Sequence, residues 1–349
     1  ITDPINPTSS ALAKDLIRMT EYDAYGREAY KYLPTPSTAT DATKNNGLFK
    51  LNPFSQQATF YGSTDANLNP IAGQGETFYY SQTNYESSPL SRVEETVAPG
   101  NSWAGSMYQT MEDNRRSVKS KYWINTTNDD VRKWKVTIGA LPAFSSYSSP
   151  GEYAGGQLYK TVTVDERGKQ VIEFKDKEGR VVLKKVQLSG ASDTGTGQGH
   201  SGWLCTYYIY DDLGNLRCVV QPKGVEQLSS NWALSDATIL NEQCFRYEYD
   251  HRNRLVVKKV PGAAELFMVY DMRDRLVMTQ DGNLRAIGVN KWMVTLYDEL
   301  NRPVQTGLLL NTWNNKTFEQ HRVAATPSPL PANFSDYPFS AANLPTATY

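Results

Sequence analysis

The stretch Phe245-Arg246-Tyr247-Glu248-Tyr249-Asp250-His251-Arg252-Asn253-Arg254-Leu255-Val256-Val257 decides how this chain is read. Phe245, Tyr247 and Tyr249 alternate with polar residues at period two, and the β-branched Val256 and Val257 follow, so a strand, a break and a second strand are expected. The break has the chemistry of a turn. Asp opens a type I turn because its carboxylate accepts a backbone N–H two residues on, and Asn three residues later tolerates positive φ. A type I turn followed by a left-handed residue closes a β-hairpin with a bulge. Asp250 therefore marks a hairpin tip.

The pattern recurs. Tyr22-Asp23 is followed by Gly26-Arg27, Asp165 by Gly168-Lys169, Asp176 by Gly179-Arg180, Tyr210-Asp211 by Gly214-Asn215, Tyr270-Asp271 by Asp274-Arg275 and Tyr297-Asp298 by Asn301-Arg302. Internal repetition fixes an architecture before any single motif does. Between these tips the chain carries Gln221-Pro222-Lys223-Gly224, Val260-Pro261-Gly262 and Gln280-Asp281-Gly282, which are turns of another kind. Alternating turns describe an all-β, up-and-down antiparallel hairpin strip with strands of roughly seven or eight residues. The arginines at the tips are expected to pair with the Asp of their own or a neighbouring tip as exposed ion pairs, each adding only a few tenths of a kcal/mol and fixing register.

Three stretches interrupt the strip. Leu188 to Gly202 is Gly/Ser/Thr-rich and reads as a mobile hairpin loop; Val225 to Glu242 holds one or two short helices, with an N-cap at Ser235; Asn283 to Asn290 is a shorter insertion. Residues 1–150 read as a β-rich segment preceding the repeats and containing one hairpin of the repeat type. Residues 151–323 form the repeat strip, and 324–349 a Pro-rich extended tail. The chain opens at Ile1 without Met or a signal-peptide pattern, which suggests a piece of a longer protein.

Composition narrows the function classes. Among 349 residues, 36 Lys+Arg face 37 Asp+Glu, which argues against a strongly basic nucleic-acid binder. A hydrophobic fraction of 39% and a mean hydropathy of −0.55 suit a thin-walled, single-layer ribbon. There are 22 Tyr but only 3 His and 3 Cys, leaving few groups for metal ligation or imidazole catalysis. Cys205, Cys218 and Cys244 lack C-x-x-C spacing and read as small buried hydrophobes. Gly197-Gln-Gly199-His-Ser-Gly202 fits G-x-G-x-x-G, but a strand follows it, not the helix that a dinucleotide site needs. His200, His251 and His321 are expected to be solvated surface groups. The tip carboxylates lack a calcium-loop spacing, and turn chemistry accounts for them. No cofactor is expected.

Taken together, the Tyr-Asp-x-x-Gly/Asn-Arg units resemble the tyrosine–aspartate (YD) repeat of the rearrangement-hotspot (RHS) proteins. The segment before them is similar to that of Bacteroidetes-type members, through Tyr22 to Pro34, Ser88-Pro89-Leu90-Ser91-Arg92-Val93 and Ala98-Pro99-Gly100-Asn101-Ser102-Trp103. The resemblance implies a ribbon of hairpins forming part of a curved or hollow β-shell. Such a shell encloses or delivers a C-terminal polypeptide, often a polymorphic toxin, within a larger secreted or surface protein. The resemblance thus implies a non-enzymatic structural scaffold, extracellular or at the cell surface, whose partners are the remainder of its own longer chain and any toxin cargo there. Some family members release their cargo with an aspartate-dependent autoprotease, and no counterpart of that region is found here. A second reading is a carbohydrate-binding or adhesion module, because aromatic faces lining a sheet suit sugar C–H surfaces on cell-surface glycans.

Overall fold

The computed structural model describes residues 15–37, 50–65, 75–111, 114–188, 196–228, 231–286, 290–309 and 316–326. The expected extended tail, apart from 324–326, and the middle of the Gly-rich loop at 189–195 lie outside the described residues. The strands are β1 (Leu16–Ile17), β2 (Thr20–Tyr22), β3 (Glu28–Tyr32), β4 (Thr35–Pro36), β5 (Tyr80–Tyr85), β6 (Val93–Val97), β7 (Val118–Ile124), β8 (Arg132–Thr137), β9 (Ser146–Glu152) and β10 (Tyr159–Val164). They continue as β11 (Gln170–Lys175), β12 (Val181–Gln187), β13 (Trp203–Tyr210), β14 (Leu216–Val220), β15 (Cys244–Tyr249), β16 (Leu255–Lys259), β17 (Leu266–Tyr270), β18 (Leu276–Gln280), β19 (Trp292–Tyr297) and β20 (Pro303–Leu309). Among the described residues the α-helices are α1 (Pro53–Tyr61), α2 (Pro222–Leu228), α3 (Ala237–Glu242) and α4 (Phe318–Ala325).

The fold is all-β and antiparallel. A 16-stranded sheet runs in the order β2-β3-β5-β6-β7-β10-β11-β12-β13-β14-β15-β16-β17-β18-β19-β20, and β1-β4 and β8-β9 form two-stranded sheets. From β10 onward each strand pairs with its successor in sequence, and the helical insertion between β14 and β15 leaves that order intact. The chain groups into two compact units, Ile1–Trp123 with Thr161–Ile172, and Ile124–Lys160 with Glu173–Tyr349.

In the first unit, α1 sits beside the β3 hairpin. Gln57 donates to the Leu33 carbonyl at 2.9 Å, and the Tyr32 ring meets Phe54 edge-on at 5.2 Å. Tyr61 stacks on Tyr79 at 4.4 Å. Aromatic packing supplies what the polar helix sequence lacks.

In the second unit the strip has one dry face. Leu183 and Tyr207 are cross-strand partners, as are Val269 and Met278, and all four are buried. Cys205, Cys218 and Cys244 are buried and unbridged among them. The single-layer ribbon expected from composition is corrected here, because this face carries a cover. Helix α2 packs on β13, α4 packs on β17, and the β8–β9 connection brings Leu141 and Phe144 against the core of Val257, Val269, Met278 and Trp292. Phe318 of α4 stacks on Phe267 at 4.8 Å. Helix α3 also corrects the sequence reading by one residue. Its N-cap is Asp236 and not Ser235, since the longer carboxylate reaches the N–H groups of both Thr238 (2.7 Å) and Ile239 (3.2 Å).

The asymmetry of the strip is measurable. Leu183→Ala, fully buried on the dry face, should lower the unfolding free energy by about 2–5 kcal/mol. Leu204→Ala, on the neighbouring strand and 42% exposed, should change it by under about 1 kcal/mol in the same denaturant titration.

Candidate functional site

The repeated feature of this chain is its hairpin tip, and the tips share one geometry. At Asp271, the Arg275 carbonyl accepts the Asp N–H at 3.0 Å, and the Asp carbonyl accepts the Asp274 N–H at 3.2 Å. The carboxylate then divides its labour. Oδ1 accepts the N–H groups of Arg273 (2.9 Å) and Arg275 (3.0 Å), while Oδ2 receives the Arg275 guanidinium at 2.6 Å. Asp23, Asp176, Asp250 and Asp298 repeat this arrangement with Arg27, Arg180, Arg254 and Arg302. At Asp165 the residue four on is Lys169, and its N–H with that of Arg167 binds Oδ1.

The position three after each Asp is left-handed. Gly26, Gly168, Gly179 and Gly214 have φ of 77°, 79°, 82° and 82°, and Asn253, Asp274 and Asn301 have 58°, 61° and 63°. The last three also act as tip-to-tip acceptors: Asn215 donates to Asn253 at 3.2 Å, Arg254 to Asp274 at 2.8 Å and Arg275 to Asn301 at 3.4 Å.

Neighbouring hairpins are joined by a second contact. Three tip arginines lie over the motif tyrosine of the next hairpin: Arg180 over Tyr210, Arg254 over Tyr270 and Arg275 over Tyr297, with guanidinium-to-ring distances of 5.1, 5.1 and 5.2 Å. Tyr297 then donates its hydroxyl back to the Leu276 carbonyl at 2.9 Å, and Tyr249 to Leu216 at 3.1 Å. A cation over a ring is worth about 0.5–2 kcal/mol, depending on how dry the site is. The Asp orients the Arg, and the Arg seats the next Tyr.

Two parts of this arrangement escape the Asp-anchored alignment. Asp211 is bonded by Arg217, six residues on, at 2.7 Å, because Asn215 stands where five of the tips have Arg; Arg217 lies over Tyr249 at 5.1 Å. Glu86 forms a further tip with Arg92, whose guanidinium, 2.7 Å away, holds the carboxyl down to about 2. Arg27 lies over Tyr85 at 4.7 Å and Arg92 over Tyr122 at 4.5 Å, so the same chain of contacts runs through the first unit. The order Tyr85-Glu86 to Arg92-Val93 was the available signal, disguised by Glu for Asp and two inserted residues.

The ion pairs differ in burial, which corrects the expectation of uniformly exposed pairs. Arg254 and Arg275 side chains are 10% and 7% exposed, against 71% for Arg302. The next hairpin covers the inner ones. A buried network extends from Asp211 through Arg217 to Glu248 (2.6 Å), and Glu248 accepts the Ser145 N–H (2.6 Å) and hydroxyl (3.0 Å). This fixes the β8–β9 connection to the strip.

A second buried group surrounds Asp129, which pairs with Lys160 at 2.5 Å. Lys185 donates to the carbonyls of Asp129 (3.0 Å), Gly197 (3.1 Å) and Gly199, so residues 196–199 of the Gly-rich loop are tied down. The histidines correct the surface reading too: His321 is fully buried, and His200 bonds Tyr207 at 2.9 Å, where burial and then Lys185 and Arg132 press its pKa down to about 3. His251 lies exposed at its tip. Among the described residues, no group of three His, Cys, Asp or Glu is placed to hold a metal, and no helix is long and apolar enough to cross a membrane.

Two outcomes follow for the tips. Asp271→Ala leaves Arg275 buried without its carboxylate and should lower the unfolding free energy by about 3 kcal/mol; Asp298→Ala, where Arg302 reaches water, should cost much less. The Arg27 backbone N–H, joined by its guanidinium, holds Asp23 below its ordinary 3.8, and Arg302 does the same for Asp298. At Asp250 and Asp211 burial pushes upward, but bonding to Arg254 and Arg217 outweighs it and both carboxyls end lowered. Depressed folded values stabilise above the unfolded pKa and lose that stabilisation as pH falls through the folded values. Glu248, raised by burial, acts with the opposite sign but stands against these four and Glu86 and Asp236, which are lowered as well. The urea midpoint should therefore fall as pH is lowered from about 5 to about 3.

Residues 4–117 match a family model described as a domain of unknown function, DUF6443. No curated protein matches the chain. Among solved structures the chain is similar to the crystal structure of TcdB2-TccC3-TEV, with 11% identity, 86% of this chain and 11% of that chain covered, and a TM-score of 0.48. For TcdB2-TccC3-Cdc42 the corresponding values are 12%, 84%, 10% and 0.46. For the Photorhabdus luminescens Tc holotoxin pore they are 10%, 87%, 20% and 0.33. The chain thus spans 11%, 10% and 20% of the chains it is compared with.

Proposed function

We propose that this chain is a non-enzymatic wall segment of an RHS-type β-shell. The shell belongs to a larger secreted or surface-displayed protein, and it encloses or delivers a C-terminal polypeptide of the same chain, a toxin in the reading that the repeat favours. The observation that carries the proposal is the tip-to-tip relay, in which Arg27, Arg92, Arg180, Arg217, Arg254 and Arg275 each serve an acidic tip and a tyrosine of the next hairpin. Such a relay sets the register of one hairpin on the next without a reaction centre or ligand, which suits a scaffold extended by repetition. The glycan reading has less to work with, since arginines occupy faces of Tyr85, Tyr122, Tyr210, Tyr249, Tyr270 and Tyr297 that a sugar would need.

Limited proteolysis of the complete polypeptide tests the proposal. A segment C-terminal to the repeats should resist protease in the wild-type protein and become cleavable in the Arg254→Ala, Arg275→Ala double variant under conditions where the strip remains folded by far-UV circular dichroism. A C-terminal segment cut equally fast in both proteins would refute enclosure.

A further inference from the structure

Lys160 of β10 and Asp129 form an ion pair sealed from solvent. Their side chains are 4% and 0% exposed, and Nζ lies 2.5 Å from Oδ1. Both partners are held before they meet. Asp129 ends a short 3₁₀ turn, Thr127–Asp129, and reciprocal capping bonds with Thr126 fix its carboxylate. The Thr126 N–H donates to Oδ2 at 2.7 Å and the Thr126 hydroxyl at 3.2 Å. The turn is itself pinned to the base of β10, since Asn125 donates its N–H to the Leu158 carbonyl at 3.0 Å and accepts the Leu158 N–H on its side chain at 2.8 Å. The Lys160 ammonium also donates to the Thr196 carbonyl, and the buried Phe174 ring lies 5.4 Å from it. Lys185 adds a second ammonium, 3.0 Å from the Asp129 carbonyl and 5.2 Å from the same ring.

In a site this dry, two charges carry a desolvation cost that an amide would not. We propose that Lys160 and Asp129 condense to an intramolecular isopeptide bond between Nζ and Cγ. The carboxyl carbon is one bond beyond Oδ1, and rigid placement of the two groups removes the entropy cost of bringing amine and carboxyl together. The atoms balance without a co-reactant. One proton passes from Nζ to Oδ1 along their hydrogen bond, leaving a neutral amine and a neutral acid. The Nζ lone pair then attacks Cγ, and the negative charge that develops falls on Oδ2, where the Thr126 N–H and hydroxyl already donate. A second proton moves from Nζ to Oδ1, the Cγ–Oδ1 bond breaks and water leaves, while Nζ keeps its third hydrogen as the amide N–H. The product finds its partners in place. Oδ2 keeps both Thr126 bonds, the amide N–H has the Thr196 carbonyl, and Lys185 keeps the carbonyls of Asp129, Gly197 and Gly199. The bond closes residues 129–160 into a covalent ring that contains β8 and β9, the hairpin whose connection covers the dry face. This inference stands apart from the shell reading.

Mass spectrometry of the purified chain tests it. The wild-type protein, folded and then denatured for measurement, should weigh one water less than its sequence. The Lys160→Arg variant, which keeps a cation beside Asp129 but cannot form this bond, should show the full sequence mass. A single protease cut between residues 130 and 159 should leave the two wild-type pieces joined after denaturation, whereas the variant's pieces should separate. A peptide map should place the link between Asp129 and Lys160, with trypsin failing to cut after Lys160. A folded wild-type chain of full sequence mass would overturn the inference. So would a lost water that maps elsewhere, such as a succinimide at Asp281-Gly282, or an equal loss from the variant. If Lys160→Arg does not fold, the wild-type mass and map decide alone.

Discussion

The structure depends on a carboxylate that cannot be satisfied by its own turn. Asp Oδ1 is used up by two backbone N–H groups, which closes the tip; Oδ2 remains, and an arginine fills it. Tethered there, the planar guanidinium presents a face to the next hairpin, and at Arg275 the Tyr297 ring lies against it. The local demand of a type I turn thereby becomes a longer-range instruction about where the next strand lies. Because side chains alternate with period two, a slip of one residue would turn the buried face to solvent, so this instruction carries weight beyond its small energy.

The strip is held from its covered face as well. Glu248 and Arg217 lie where apolar side chains would be expected on the dry side, and their charges are tolerable because Ser145, Asp211 and each other satisfy them. The resulting specificity is positional: the β8–β9 connection has one place to dock, and the Tyr147 hydroxyl, 3.1 Å from the Arg217 carbonyl, adds a second peg. Lys185 serves the loop at 196–199 in the same way, with burial pulling its amine down to about 8.

What was legible in the sequence is what the backbone dictates locally. Asp followed three residues later by Gly, Asn or Asp leaves little choice at a left-handed position, and flanking period-two runs make hairpins, so the antiparallel strip could be read from Tyr249, Asp250 and Asn253 alone. What was not legible depends on which residues meet across strands. The partner ring of Arg254 is 16 residues away at Tyr270, and that of Arg27 is 58 residues away at Tyr85, separations that no local pattern encodes. Burial of Arg275 or His321 likewise follows from what packs on top. The cover formed by α4 and the β8–β9 hairpin was invisible because neither has a strongly apolar sequence of its own.

A double-mutant cycle between Arg254 and Tyr270 tests the central claim that each tip arginine couples one hairpin to the next. Arg254→Ala, Tyr270→Leu and the double variant would be compared by equilibrium unfolding. The account predicts a favourable coupling energy of about 0.5–2 kcal/mol. Additive effects, with no coupling beyond error, would mean that the arginines serve only their own tips and that the hairpins are joined by backbone pairing alone.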